Sequence, residues 1–260
     1  MKHKLLLVLI VSFCAPFIGF AQYNWDVGFH LGASNYLGEM GGKSQTRRNF
    51  VADMKLSKTQ FALGGFTRFK FGPLLSTKLG LNWVRITGAD NVSTNPGRVG
   101  RNLSFQNDII ELALTAQVFF VDVPDLGHTY RYRNDFRMYA FFGVAGAYHN
   151  PKAYYGGKWV ALRPLKTEGK KYSPVVMSIP LGVGLYFTIE KRHRIGWEFD
   201  WRTTFTDYLD DASSNYVDPA TLTSAEAVAL ANRRGELGTK TGVPAPENYG
   251  WNQAQGTGYK

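Results

Sequence analysis

From Arg194 to Thr206 the chain reads RIGWEFDWRTTFT, and its residues alternate in character. Ile195, Trp197, Phe199, Trp201 and Phe205 share one face, and Arg194, Gly196, Glu198, Asp200 and Arg202 share the other. A period of two makes a strand with two unlike faces. The same alternation predicts strands over 24–33, 60–71, 75–85, 108–120 and 177–189. A glycine- and aromatic-rich stretch over 136–147 adds another whose faces stay ambiguous, and Phe66 is a misfit within 60–71.

One face of these strands is apolar and aromatic throughout. The other holds small residues together with Asp26, His30, Arg68, Lys70, Lys78, Glu111, Gln117, Glu198, Asp200 and Arg202. A soluble sandwich or barrel that stacks two apolar faces fits any single strand. With seven such strands and almost no helix to cover them, an inverted distribution fits better. The apolar residues then face lipid and the charges pair within a narrow lumen. The expected fold class is all-β, an antiparallel transmembrane outer-membrane β-barrel of the eight-stranded type. Trp25, Phe29, Trp83, Phe187, Trp197, Phe199 and Trp201 are the expected lipid-facing aromatics, several of them near strand ends where interfacial girdles sit. The ten polar residues above are the expected lumen network.

Residues 1–21, MKHKLLLVLIVSFCAPFIGFA, have the layout of a signal peptide: basic start, apolar run, then a small-x-small end. The run is too short for a spanning helix. Cys14, the single cysteine, lies inside it after bulky Phe13 and makes a poor lipoprotein site, so a chain cut after Ala21 carries no disulfide. Removing Lys2 and Lys4 lowers the formal charge from +10 to +8. That surplus suits an anionic membrane surface or acidic partner, and no nucleic-acid-binding motif accompanies it. The connectors give an independent test. Those at 34–59, 88–107 and 148–176 are long, while 72–74, 121–135 and 190–193 are shorter, as expected of extracellular loops and periplasmic turns. The barrel segment therefore spans 22–207. It shows only seven strands, and 208–260 reads as a long extracellular loop or irregular C-terminal segment with one helical candidate, Ser224–Arg234, capped by Ser224.

Little points to chemistry. Asp207, Asp210 and Asp211 could form a cation site or acid pair, but such loop acids are more often solvated or paired with Arg. His149 has no partner at metal-ligand spacing, and His30 suits the lumen network better than catalysis. No nucleophile elbow or phosphate loop occurs. No enzyme, metal or cofactor is expected. Basic clusters at 43–58 and at Arg163, Lys166, Lys170 and Lys171 offer contacts for phosphate or carboxylate groups of surface glycolipid. Ordinary solvated charge accounts for them equally well.

Four stretches, SNYLGEMGG (34–42), LRPLKTEGKKYS (162–173), SIPLGVGLYF (178–187) and TFTDYLDDASSNYVD (204–218), together resemble the PorG family of outer-membrane β-barrel proteins. The resemblance covers about residues 22–218. It implies an accessory subunit of the type IX secretion system that links the outer membrane to a periplasmic ring of PorK-like lipoprotein and PorN-like subunits. Members of that family end with a further amphipathic strand. On this reading Asp122, Asp125, Arg131, Arg133, Lys191, Arg192 and His193, on the short connectors, are candidate contacts to the ring. A small pore, or a surface hydrolase or acyltransferase barrel, is the competing assignment.

Overall fold

The computed structural model describes residues 24–38, 40, 54–93, 96–123, 135–190, 192–213 and 215–241. The expected signal peptide lies outside the described residues. The strands are β1 (Trp25–Ser34), β2 (Gln60–Lys70), β3 (Leu75–Ala89), β4 (Ser104–Val123), β5 (Asp135–Tyr148), β6 (Lys152–Tyr155), β7 (Lys158–Ala161), β8 (Val175–Ile189) and β9 (His193–Thr204). Seven of them form an antiparallel meander in the order β1-β2-β3-β4-β5-β8-β9, curled into a half-barrel. Each principal strand therefore pairs with its neighbour in the chain. Among the described residues β1 and β9 are the two edges and do not pair with each other.

The alternation fixes which face is buried. Val27, Phe29 and Leu31 are 84%, 91% and 88% exposed, while Gln117, Glu111 and Arg68 are 0%, 2% and 4% exposed. Charges and amides lie inside the curl together with a few rings, and most of the large aliphatic side chains lie outside. No helix among the described residues is long and apolar enough to cross a membrane, which leaves strands untested.

The ambiguous stretch resolves in β5. Tyr139, Phe141, Ala145 and Ala147 point inward, and Phe142, Val144 and Tyr148 point outward. Phe141 sits opposite Gly182 and Tyr139 opposite Gly184. A Cβ on Gly184 would come within 2.4 Å of the Tyr139 ring, so glycine opens the room that the ring fills. Phe66 is no misfit for the same reason. It points inward over its cross-strand partner Gly28. Large rings laid over glycines are how the inner face is filled without a second sheet.

The two ends of the sheet differ. Among the described residues one carries the tight turns around Gly72 and Glu190; the other carries the connectors after β3 and β5, and these are folded. The 148–176 connector, expected as a loop, contains the β6–β7 hairpin. Its turn residues Gly156 and Gly157 have φ of +57° and +83°, the conformation a two-residue hairpin demands. α1 (Pro96–Arg101) lies in the β3–β4 connector, and α2 (Ala225–Ala231) and α3 (Arg234–Thr241) follow β9. The Ser224 side chain caps α2 as expected, accepting from the Ala227 N–H at 3.1 Å, but the helix stops at Asn232 and a second one follows. The described part of the segment after β9, as far as Thr241, is folded where an irregular tail was one expectation. It packs Leu209 and Ala212 against Met40, Ile86, Leu103 and Phe105, and Leu230 against Ala153 and Leu162.

Candidate functional site

The inner face is built around opposed cations. Arg68 on β2 and Lys78 on β3 are direct cross-strand partners, and like charges so placed repel. Glu198 reaches in from β9 to satisfy both. Lys78 Nζ donates to its two carboxylate oxygens at 2.7 and 2.5 Å, and Arg68 Nη2 approaches at 3.9 Å. Tyr139 Oη donates to the same carboxylate at 2.5 Å. The Arg68 guanidinium also lies 5.5, 5.3 and 5.0 Å from the rings of Phe66, Tyr139 and Tyr186, an attraction that strengthens when water is excluded.

A second knot lies further along β9. Arg202 grips Glu111 with Nε at 2.8 Å and Nη2 at 2.9 Å, and Asn82 Nδ2 donates to the same carboxylate at 2.8 Å. Asp200 pairs with Arg202 at 2.8 Å. Asp26 on β1 lies 3.7 Å from Arg68 and 3.6 Å from Lys70, and is hydrogen-bonded by Arg194 of β9. His30 stacks on Phe66 at 6.2 Å, and Gln117 accepts from Ser76 at 2.9 Å. All ten expected polar residues thus lie on one face. β9 touches β1, β2, β3, β4 and β5 through side chains, although it pairs only with β8. Only tight curling permits that. Sequence reasoning missed the inner aromatics Phe119, Tyr139, Phe141 and Tyr186, which pack together.

On the outer face Trp25, Phe29, Phe187, Trp197 and Phe199 are exposed, and Trp83 and Trp201 are half-buried. At the short-turn end, Asp122 accepts from Arg137 Nε at 2.9 Å, so it is committed within the sheet. Arg192 and His193 are exposed; Asp125, Arg131, Arg133 and Lys191 lie outside the described residues.

At the opposite end two of the three acids of TDYLDD are buried, where solvation was one of the two expectations for them. Asp207 is exposed, but Asp210 and Asp211 are buried. Tyr36 Oη donates to Asp210 at 2.9 Å. Thr167 and Tyr172 donate to Asp211, the latter at 2.5 Å. Asp90 and Arg101 form a bidentate pair at 2.7 and 2.8 Å with no exposure at all. His149, Tyr172 and Tyr208 stack in sequence, with centroids 5.9 and 4.6 Å apart. Beside Asp210 and Asp211 is a cavity of about 10 Å³, room for a single water. Among the described residues no group of three or more His, Cys, Asp or Glu could hold a metal ion.

Burial raises the Asp211 carboxyl to about 7 against the hydrogen bonds from Thr167 and Tyr172, which favour its ionised form. The same burial, with Asp211 alongside, pushes the Tyr172 phenol up. A raised acid pKa means that the folded end binds a proton the unfolded chain releases. Its stabilisation is complete below the unfolded value near 3.8 and is lost as pH rises through about 7. Hydrogen-exchange protection of 205–241, corrected for intrinsic rates, should therefore be greater at pH 5.5 than at pH 8. Asp211→Asn should flatten that difference; an unchanged profile would show that Asp211 is already ionised and satisfied.

Residues 3–224 match a family described as a domain of unknown function, DUF6089, a span that takes in every strand of the sheet and ends at the cap of α2. No curated protein and no solved structure matches the chain.

Proposed function

We propose, from the premise that the chain belongs to the DUF6089 family, that it is a non-enzymatic outer-membrane β-barrel subunit tying the periplasmic ring of a type IX secretion machine to the membrane. The observation that carries the membrane reading is the inverted distribution of side chains. Leu112, Leu114 and Phe120 are exposed on β4, while Glu111, Thr115 and Gln117 on the same strand are buried. Leaving such a surface in water has no compensating gain, whereas lipid removes the cost. The outward apolar run of β4 from Ile110 to Phe120 has the length that about 9–11 residues of a tilted strand need to cross a bilayer. Closure follows from direction. β1 and β9 both run from the short-turn end to the long-connector end, so one strand running back between them completes an eight-stranded barrel with antiparallel partners on each side.

Paired charges and rings occupy the described interior, and an eight-stranded barrel has room for little more than its own side chains, which favours an anchor over a pore. The secretion machine itself is supported by the resemblance of the four quoted stretches to the PorG family, and export by the leader-like residues 1–21. With the short turns placed in the periplasm, the exposed Arg192 and His193 face the ring.

Leu112→Arg decides the membrane reading. In a bilayer-facing position it should destabilise the folded protein by about 2–4 kcal/mol, measured by urea unfolding in lipid vesicles. An effect within about 0.5 kcal/mol, typical of a water-facing site, would refute it. For the machine, an affinity-tagged chain should co-purify PorK-like and PorN-like proteins from cross-linked membranes. Reversing Lys191 and Arg192 to Glu should reduce that recovery, and undiminished recovery would place the contact elsewhere.

A further inference from the structure

The β6–β7 hairpin has two faces with different fates. Ala153, Tyr155 and Val160 pack inward with Leu162, Leu165 and Leu230 of α2. Lys158 is tied to Glu226 of α2 at 2.7 Å, and the Leu162 N–H bonds to the Pro151 carbonyl at 2.8 Å. The hairpin is therefore braced and does not wave in solvent. On its other face Tyr154 and Trp159, direct cross-strand partners, hold each other edge to face at 5.5 Å and are each 50% exposed. Half of each ring's surface is left uncovered by the described residues.

Two further observations say what would cover them. Lys152 pairs with Gln106 of β4, and burial alternates from Tyr148 through Lys152 to Tyr154, so Tyr154 falls on the same side as the exposed Phe142, Val144 and Tyr148 of β5. Residues 149–174 also carry six Lys or Arg against one Glu, and that Glu168 is buried. Lys166, Lys170 and Lys171 are exposed. Rings offer flat faces for sugars, and clustered ammonium groups attract phosphate near a membrane surface.

We propose that the outer face of the β6–β7 hairpin is a docking surface for phosphorylated glycolipid of the outer leaflet. Tyr154 and Trp159 lie against its sugars, and Lys152 with the lysines of 166–171 holds its phosphates. The proposal rests on the membrane reading above.

The test uses the full-length chain, purified in detergent, with rough-type lipopolysaccharide and its dephosphorylated form as probes. The wild type should bind the phosphorylated probe, and the double variant Tyr154→Ala with Trp159→Ala roughly tenfold more weakly. Reversing Lys166, Lys170 and Lys171 to Glu should weaken binding about fivefold per lysine and abolish the preference for phosphate. Insertion into phosphatidylcholine vesicles, read as protease protection, should stay at the wild-type level in every variant. Normal insertion with binding unmoved by the aromatic variant would overturn the docking surface alone. So would equal binding of both probes, or cross-linking at Tyr154 to a protein in place of lipid. Failure of the wild type to insert would instead overturn the membrane reading beneath it.

Discussion

Glu111→Ala is expected to destabilise the folded barrel by about 1–3 kcal/mol, because it removes the buried acceptor that Arg202 and Asn82 share and leaves Arg202 with Asp200 alone. Arg202 loses two hydrogen bonds at 2.8 and 2.9 Å, and Asn82 loses its acceptor. The glutamate is 2% exposed, so water does not easily replace it. Breaking one partner costs more than removing both, since the penalty lies in the uncompensated charge and not in the missing attraction. The triple variant Glu111→Leu, Arg202→Leu and Asp200→Asn, which removes the whole cluster of charges, should therefore recover much of the loss. Urea unfolding in lipid vesicles, followed by tryptophan fluorescence, measures both. A loss below about 1 kcal/mol for Glu111→Ala would mean a wet, screened interior in which pairs contribute little.

Asp90→Ala should have a larger effect, about 3–5 kcal/mol, at the other level of the molecule. Asp90 and Arg101 have no exposure, and Asp90 also accepts from the Leu103 N–H at 3.0 Å. Removing the carboxylate takes two hydrogen bonds from the Arg101 guanidinium and one from the Leu103 amide where α1 meets the sheet. The damage should be local. Exchange and protease sensitivity should rise over 90–103 and 205–241, while the strands keep their protection. Because the Asp90 and Glu111 pairs share no partner, the two losses should add within about 0.5 kcal/mol. Marked non-additivity would show that the capped end and the strand interior unfold as one unit.

The strands were legible because a period of two with unlike faces has few other outcomes. The direction of those faces was legible too, since charged residues recurred on the same parity as the small ones. What alternation could not convey was how the inner face is filled. Phe66 and the β5 aromatics look misplaced until Gly28, Gly182 and Gly184 are set opposite them, and that register depends on pairing between strands. The β6–β7 hairpin hid for another reason. Four-residue strands are too short to establish a period, although Gly156-Gly157 marked the turn. Ser224 announced its helix through the cap. The burial of Asp210 and Asp211, by contrast, depends on Tyr36, Thr167 and Tyr172, which lie far away in the chain.

The opposition of Arg68 and Lys78 bears on how the chain folds. The β2–β3 hairpin has a tight turn and could zip early, yet doing so sets two cations face to face on its inner side. Asp26 of β1 offers Arg68 an anion at 3.7 Å, but the carboxylate that takes Lys78 comes from β9, 120 residues beyond it. A half-formed sheet thus keeps an unmatched lysine on its inner face until its last strand arrives. Folding should accordingly be all-or-none across the meander: Glu198→Gln would be expected to broaden the unfolding transition as well as lower its midpoint.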